Sequence, residues 1–129
     1  MVRSPKAACV LIADDEATVR SMLRRFLEGK GFQVVEAEHG REVFHPEILE
    51  QTDLILLDLA MPEMDGIEVL RTLRAKGLNI PVIAISGAVG GSHTLKSAQY
   101  LGAQTVLSKP FDLSILLRTI EETLAEDST

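Results

Sequence analysis

Short runs of uninterrupted apolar residues, each followed by an amphipathic stretch, constrain this chain more than any other feature. "AACVLIA" (residues 7–13) has no polar position, as expected of a strand covered on both faces; a half-exposed strand would alternate. In "DEATVRSMLRRFLEGKG", Val19, Leu23, Phe26 and Leu27 fall at helical spacing, and Gly29 and Gly31 supply its end. The alternation then repeats: strands "FQVVEA", "DLILLDL", "IPVIAIS" and "QTVLSK", and helices "GIEVLRTLRAKG", "SHTLKSAQYLG" and "FDLSILLRTIEETLAED", the last with Asp112 as its N-cap. The segment "HGREVFHPEILEQ" carries Pro46 inside a helical pattern, which predicts a kinked, late-starting or shortened helix. Strand–helix units in this order predict an α/β fold: one doubly wound, five-stranded parallel sheet with helices on both faces. A length of 129 residues suits a single domain over residues 1–129, with 1–6 as a flexible N-terminal extension.

The totals exclude several classes. A net charge of −6 disfavours direct nucleic-acid binding, which needs a basic footprint. The one cysteine, Cys9, permits no internal disulfide and fits a reducing compartment, where it reads as a core thiol of the first strand. The start "MVRSPKAACVLIADD" runs from apolar residues straight into two aspartates, unlike a signal peptide. No apolar run approaches the ~18 residues of a membrane span, so a cytoplasmic location without membrane contact is expected.

Doubly wound sheets bind ligands outside the carboxyl ends of their strands. Asp14 and Asp15 follow the first strand, Asp58 ends the third, Ser86 the fourth, and Lys109 the fifth, just before Pro110. Any one of these alone is a helix cap or a solvated turn. Together they place three acids, a hydroxyl and an ammonium at one edge. Clustered carboxylates repel, and a hard divalent cation such as Mg²⁺ relieves them through oxygen ligands. A carboxylate can also act as a nucleophile and form an aspartyl phosphate, whose oxygens then need neutralising charge and donors.

"IADDE", "LLDLAMPEMDGIEVL", "IAISG" and "LSKPF" together resemble the receiver domains of two-component response regulators, CheY-like proteins, across essentially the whole chain. The resemblance implies a flavodoxin-like fold of strand order 2-1-3-4-5. It implies that Asp58 accepts a phosphoryl group from the phosphohistidine of a sensor histidine kinase or phosphotransfer protein. Asp15, Asp58 and the Ala60 backbone carbonyl would ligate Mg²⁺ (or Mn²⁺), with Asp14 acting through water. Lys109 would pair with Asp58 and then with the phosphoryl group, and Ser86 would swing toward it. Met61, Pro62, Asp65 and Gly66 would shape the loop after the acceptor, and the Lys109–Pro110 bond would be cis. Such a domain is a switch that assists its own phosphorylation and dephosphorylation, not a turnover enzyme. Its output surface, and a homodimer face, would lie on the fourth helix, fifth strand and fifth helix.

The sequence departs from that family in places. Three residues before Lys109, where the family has an aromatic, stands Val106, read as a buried strand residue; the serine–aromatic switch is then absent or rewired. Ala60 and Ala88 are small, which implies an acyl phosphate open to water. Ala60 also argues against a hydrolase or phosphotransferase with an aspartyl nucleophile, which would want an acid there. A phosphorylation-independent interaction module is the other rival. "SGAVGGS" reads as a mobile loop without the order of a phosphate-binding P-loop. His39, His45 and His93 lack metal-ligand spacing and read as surface or loop residues, while Met22 is expected to pack with the first helix. Leu113, Leu116, Leu117, Ile120 and Leu124 form a core stripe on the last helix. The chain ends at "AEDST" without an output domain: as a whole product it would act by docking to another protein or within a relay, and as a cut piece it would lack an effector domain.

Overall fold

The structure, a computed structural model, describes residues 8–61, 64–87, 96 and 98–127. Five parallel strands form one sheet in the order β2-β1-β3-β4-β5: β1 Cys9–Ala13, β2 Gln33–Ala37, β3 Leu54–Asp58, β4 Val82–Ser86 and β5 Thr105–Ser108. The expected fold class and strand order are both observed. The apolar runs alternate between two cores. Val10, Ile12, Leu54, Leu56, Ile83 and Ile85 face Leu23 and Leu27 of α1 (Ala17–Gly29) and Leu116, Ile120 and Leu124 of the C-terminal helix (Leu113–Asp127). Leu11, Ala13, Ile55, Leu57, Val82 and Ala84 face Val69, Leu70 and Leu73 of α3 (Gly66–Ala75). Strands β1, β3 and β4 are buried at every position, which explains their lack of polar alternation.

Pro46 reorganises the segment that carries it. Residues Gly40–Phe44 form a 3-10 helix, and α2 (Pro46–Gln51) starts afresh with the proline in its first turn, where its missing N–H costs no bond. The late and shortened helix is therefore the outcome. α1 ends at Gly29, and Gly31 adopts φ 96° as the chain reverses into β2. Residues 98–100 are helical, in the segment expected for the fourth helix. Asp112 accepts from the Ser114 N–H at 2.9 Å and caps the C-terminal helix. No helix among the described residues is long and apolar enough to cross a membrane.

Met22 lies on α1 and is 46% exposed, because the helix turns Leu23 and Leu27 to the sheet. One sequence expectation fails. Val106 is half-buried rather than buried, since β5 is an edge strand. The expected N-terminal extension, Pro62, Ala88, His93 and most of "SGAVGGS" lie outside the described residues.

Candidate functional site

Each expected site residue for which the structure gives a position lies at the carboxyl edge of the sheet. Asp14 follows β1 directly, its N–H donating to Ala37 O at 3.1 Å. Asp58 is the last residue of β3, paired in register with Ile85 of β4. Ser86 and Ser108 pair at the ends of β4 and β5, and Lys109 comes next, joined to Pro110 by a cis peptide bond. One carboxylate oxygen from each of Asp14, Asp15 and Asp58 lies within 4.8 Å of the others; Asp14 and Asp58 are buried and Asp15 is exposed.

Asp58 is held from three sides. Its Oδ1 accepts the Ala60 N–H at 3.0 Å. Its Oδ2 faces Lys109 Nζ at 3.9 Å. Beneath it α3 starts against the strand: a Cβ on Gly66 would meet Asp58 O at 2.4 Å and Leu59 Cα at 2.5 Å, so only glycine fits. Asp65 caps that helix by accepting from the Glu68 N–H at 3.0 Å. Burial raises the pKa of the Asp58 carboxyl, and the negative charges of Asp14 and Asp15 add to the rise, against the Ala60 hydrogen bond and the Lys109 charge, which lower it.

Lys109 sits nearer Asp14, at 3.5 Å, than Asp58, so the resting ammonium bridges two acids instead of pairing with Asp58 alone. The Ser86 hydroxyl donates to Gly87 O at 3.0 Å and is thus turned to the main chain. Ala60 is exposed. Three carboxylates with oxygen donors, two of them buried, outnumber the one ammonium that faces them and are a donor set that suits a hard divalent cation. Among the histidines, His39 is half-buried and forms a capping box with Glu42 at the 3-10 helix, a structural task, while His45 is exposed. Cys9 is buried in the core, as expected.

The family model of the response regulator receiver domain matches residues 10–121. The chain belongs to the receiver domain family. Within this family it is 33% identical over 115 residues to the sporulation initiation phosphotransferase F of Bacillus subtilis, covering 89% of this chain and 92% of that one. It is 36% identical over 108 residues to the response regulator MprA of Mycolicibacterium vanbaalenii, covering 84% of this receiver domain but only 46% of that protein. It therefore spans less than half the length of that relative. Among solved structures, the receiver domain of the Francisella response regulator 1452 superposes with a TM-score of 0.85 at 28% identity, over 93% of this chain and 98% of that one. Receiver domains of two-component systems work with histidine kinases or phosphotransfer proteins, so the edge around Asp58 is where this domain's chemistry is to be sought.

Two residues at this edge escaped the sequence reading. Arg20 of α1 donates from Nη1 to the main-chain oxygen of Asp14 at 2.6 Å, and its Nε bonds Glu36 of β2 at 3.0 Å. The signal was present in "QVVEA", where an acid interrupts an otherwise apolar strand end.

Proposed function

We propose that this receiver domain takes a phosphoryl group onto Asp58 from the phosphohistidine of a sensor kinase or phosphotransfer protein, and that the acyl phosphate switches a protein-docking surface. Oδ1 is engaged by the Ala60 N–H, which leaves Oδ2 as the attacking atom. Oδ2 bonds to phosphorus, the phosphorus–nitrogen bond breaks, and the imidazole departs with the electron pair and takes a proton. Asp14, Asp15, Asp58 and the Ala60 carbonyl would hold Mg²⁺ (or Mn²⁺), which when bound neutralises the carboxylates and the phosphoryl oxygens. Lys109, already 3.9 Å from Oδ2, keeps its charge on the transferred group. Ser86 needs only a side-chain rotation away from Gly87 O to donate to a phosphoryl oxygen. Water then attacks the phosphorus, the bond to Oδ2 breaks, and inorganic phosphate leaves with the Asp58 carboxylate restored, so the domain is consumed and restored once per signal and is not a turnover enzyme.

The observation that carries this reading is the convergence of a buried Asp58 with Asp14, Asp15 and Lys109 at one sheet edge. Exposed Ala60 supplies no acid for rapid hydrolysis and leaves the acyl phosphate open to water. Half-buried Val106 gives no ring to follow Ser86, so output runs by another route within the fourth-helix, β5 and C-terminal-helix face, toward a protein target or an effector domain. A cytoplasmic location follows from the same reading. The test is incubation with phosphoramidate, with Mg²⁺ or with EDTA, read by intact mass. One added phosphoryl group in Mg²⁺ and none in EDTA is expected; no gain across a range of small donors and phosphohistidine proteins would overturn the proposal.

A further inference from the structure

The acidic edge is tied to its surroundings by a network that the phosphoryl chemistry does not touch. Arg20, in the first turn of α1, donates from Nη1 to Asp14 O at 2.6 Å. Its Nε holds Glu36 Oε1 at 3.0 Å, and its side chain is only 13% exposed. Glu36 stands in register with Ile12, two residues before Asp14. The other oxygen of Glu36 lies 2.6 Å from Arg24 Nε, a charge contact rather than an aligned hydrogen bond. Arg24 in turn reaches Val34 O at 3.2 Å, so α1 and β2 are laced together beside the site. The Asp14 N–H is fixed independently by Ala37 O. Asp14 is thus gripped by both of its main-chain polar groups, while its carboxylate accepts from the Glu16 N–H at 2.9 Å and faces Lys109.

We infer that Arg20, anchored by Glu36, is a positioning residue for the divalent-cation site: it holds the Asp14 main chain so that Asp14 and Asp15 converge on Asp58 before a cation arrives. The inference rests on the cation reading given above. Mutual repulsion would otherwise splay the loop that carries these two acids away from Asp58. The choice of side chains fits the task. A guanidinium offers donors in a fixed fork, one prong for the carbonyl and one for Glu36, which an ammonium cannot reproduce. Its charge is aimed at a neutral carbonyl and cancelled by Glu36, so it orders the loop without opposing the cation. Partners one step removed from metal ligands commonly tune affinity in this way.

The sign of one measurement separates positioning from mere proximity. Mg²⁺ affinity is measured by calorimetry, and Mn²⁺ affinity by electron paramagnetic resonance, on the wild type, Arg20→Met, Arg20→Lys, Glu36→Gln and the double variant. Positioning predicts that Arg20→Met weakens binding roughly tenfold, although it removes a positive charge near the site. Arg20→Lys recovers part of that loss, and the double variant is no weaker than Arg20→Met because the pair acts as one unit. A bystander cation predicts the reverse: Arg20→Met binds Mg²⁺ equally or more tightly, which overturns the inference. A lower melting temperature with unchanged cation affinity also overturns it. If Arg20→Met does not fold, Arg20→Lys and Glu36→Gln decide, and wild-type affinity in both refutes the positioning role. A wild type that binds neither ion removes the cation reading itself, and the inference with it.

Discussion

Two aspartates bracket β3, and they do opposite work. Asp53 stands before Leu54, where its carboxylate accepts the Cys9 N–H at 2.8 Å and its own N–H donates to Cys9 O at 2.8 Å. It closes the entry of the β1–β3 ladder with a hydrogen bond that the neighbouring strand cannot supply. Asp58 stands at the exit, buried, with one main-chain N–H, two acids beside it and a lysine at arm's length. The same residue type therefore stabilises one end of the strand and carries strain at the other. The difference comes from strand direction. In a parallel sheet all the βα turns open at the carboxyl edge, so charged side chains can gather there, while each amino end meets the return of a helix.

Substitutions that exchange these signatures would break the comparison. The largest effect is expected at the exit: Lys109→Ala should slow phosphoryl acquisition from a small donor about a hundredfold, measured by rapid-quench mass analysis, with the fold intact. At the entry, Asp53→Ala should lose about 1–3 kcal/mol in urea unfolding, by removing the bond that its charged carboxylate accepts from the Cys9 N–H, and should still accept a phosphoryl group. Asp58→Asn should do the reverse and gain roughly 0.5–2 kcal/mol in EDTA, at pH values where the wild-type carboxyl is ionised. The folded state holds the Asp58 proton more firmly than an unfolded carboxyl does. Stability of the wild type therefore falls as pH rises from the ordinary carboxyl range through the raised value, and stays lower above it. The gain in Asp58→Asn is accordingly full above the raised value and vanishes below the ordinary range; a gain that grows toward acid would contradict the burial argument. The smallest effect is kinetic: a bulky side chain at exposed Ala60 should lengthen the acyl-phosphate lifetime, and an unchanged lifetime would mean that water enters elsewhere.

The division of legibility follows the same physics. Apolar runs in β1, β3 and β4 announced the covered strands because burial on both faces leaves no polar position, and Asp14, Asp58 and Ser86 stood out as the first polar residues to end them. Gly66 was visible as a helix start, but not that Asp58 O would crowd its missing Cβ. Side-chain partners across the sheet were invisible: Asp53 with Cys9, and Arg20 with Glu36, are joined by spacings of 44 and 16 residues that no periodicity encodes. The burial of Val106 was misjudged because an apolar residue does not reveal whether its strand lies at the edge of the sheet.

The central claim is that chemistry resides at the exit of β3 and not at its entry. The direct measurement is side-by-side incubation of the wild type, Asp53→Asn and Asp58→Asn with Mg²⁺ and phosphoramidate, read by intact mass and then by peptide mapping. One phosphoryl group on the wild type and on Asp53→Asn, mapped to Asp58, and none on Asp58→Asn, is the expected result. An equal gain in Asp58→Asn would contradict it.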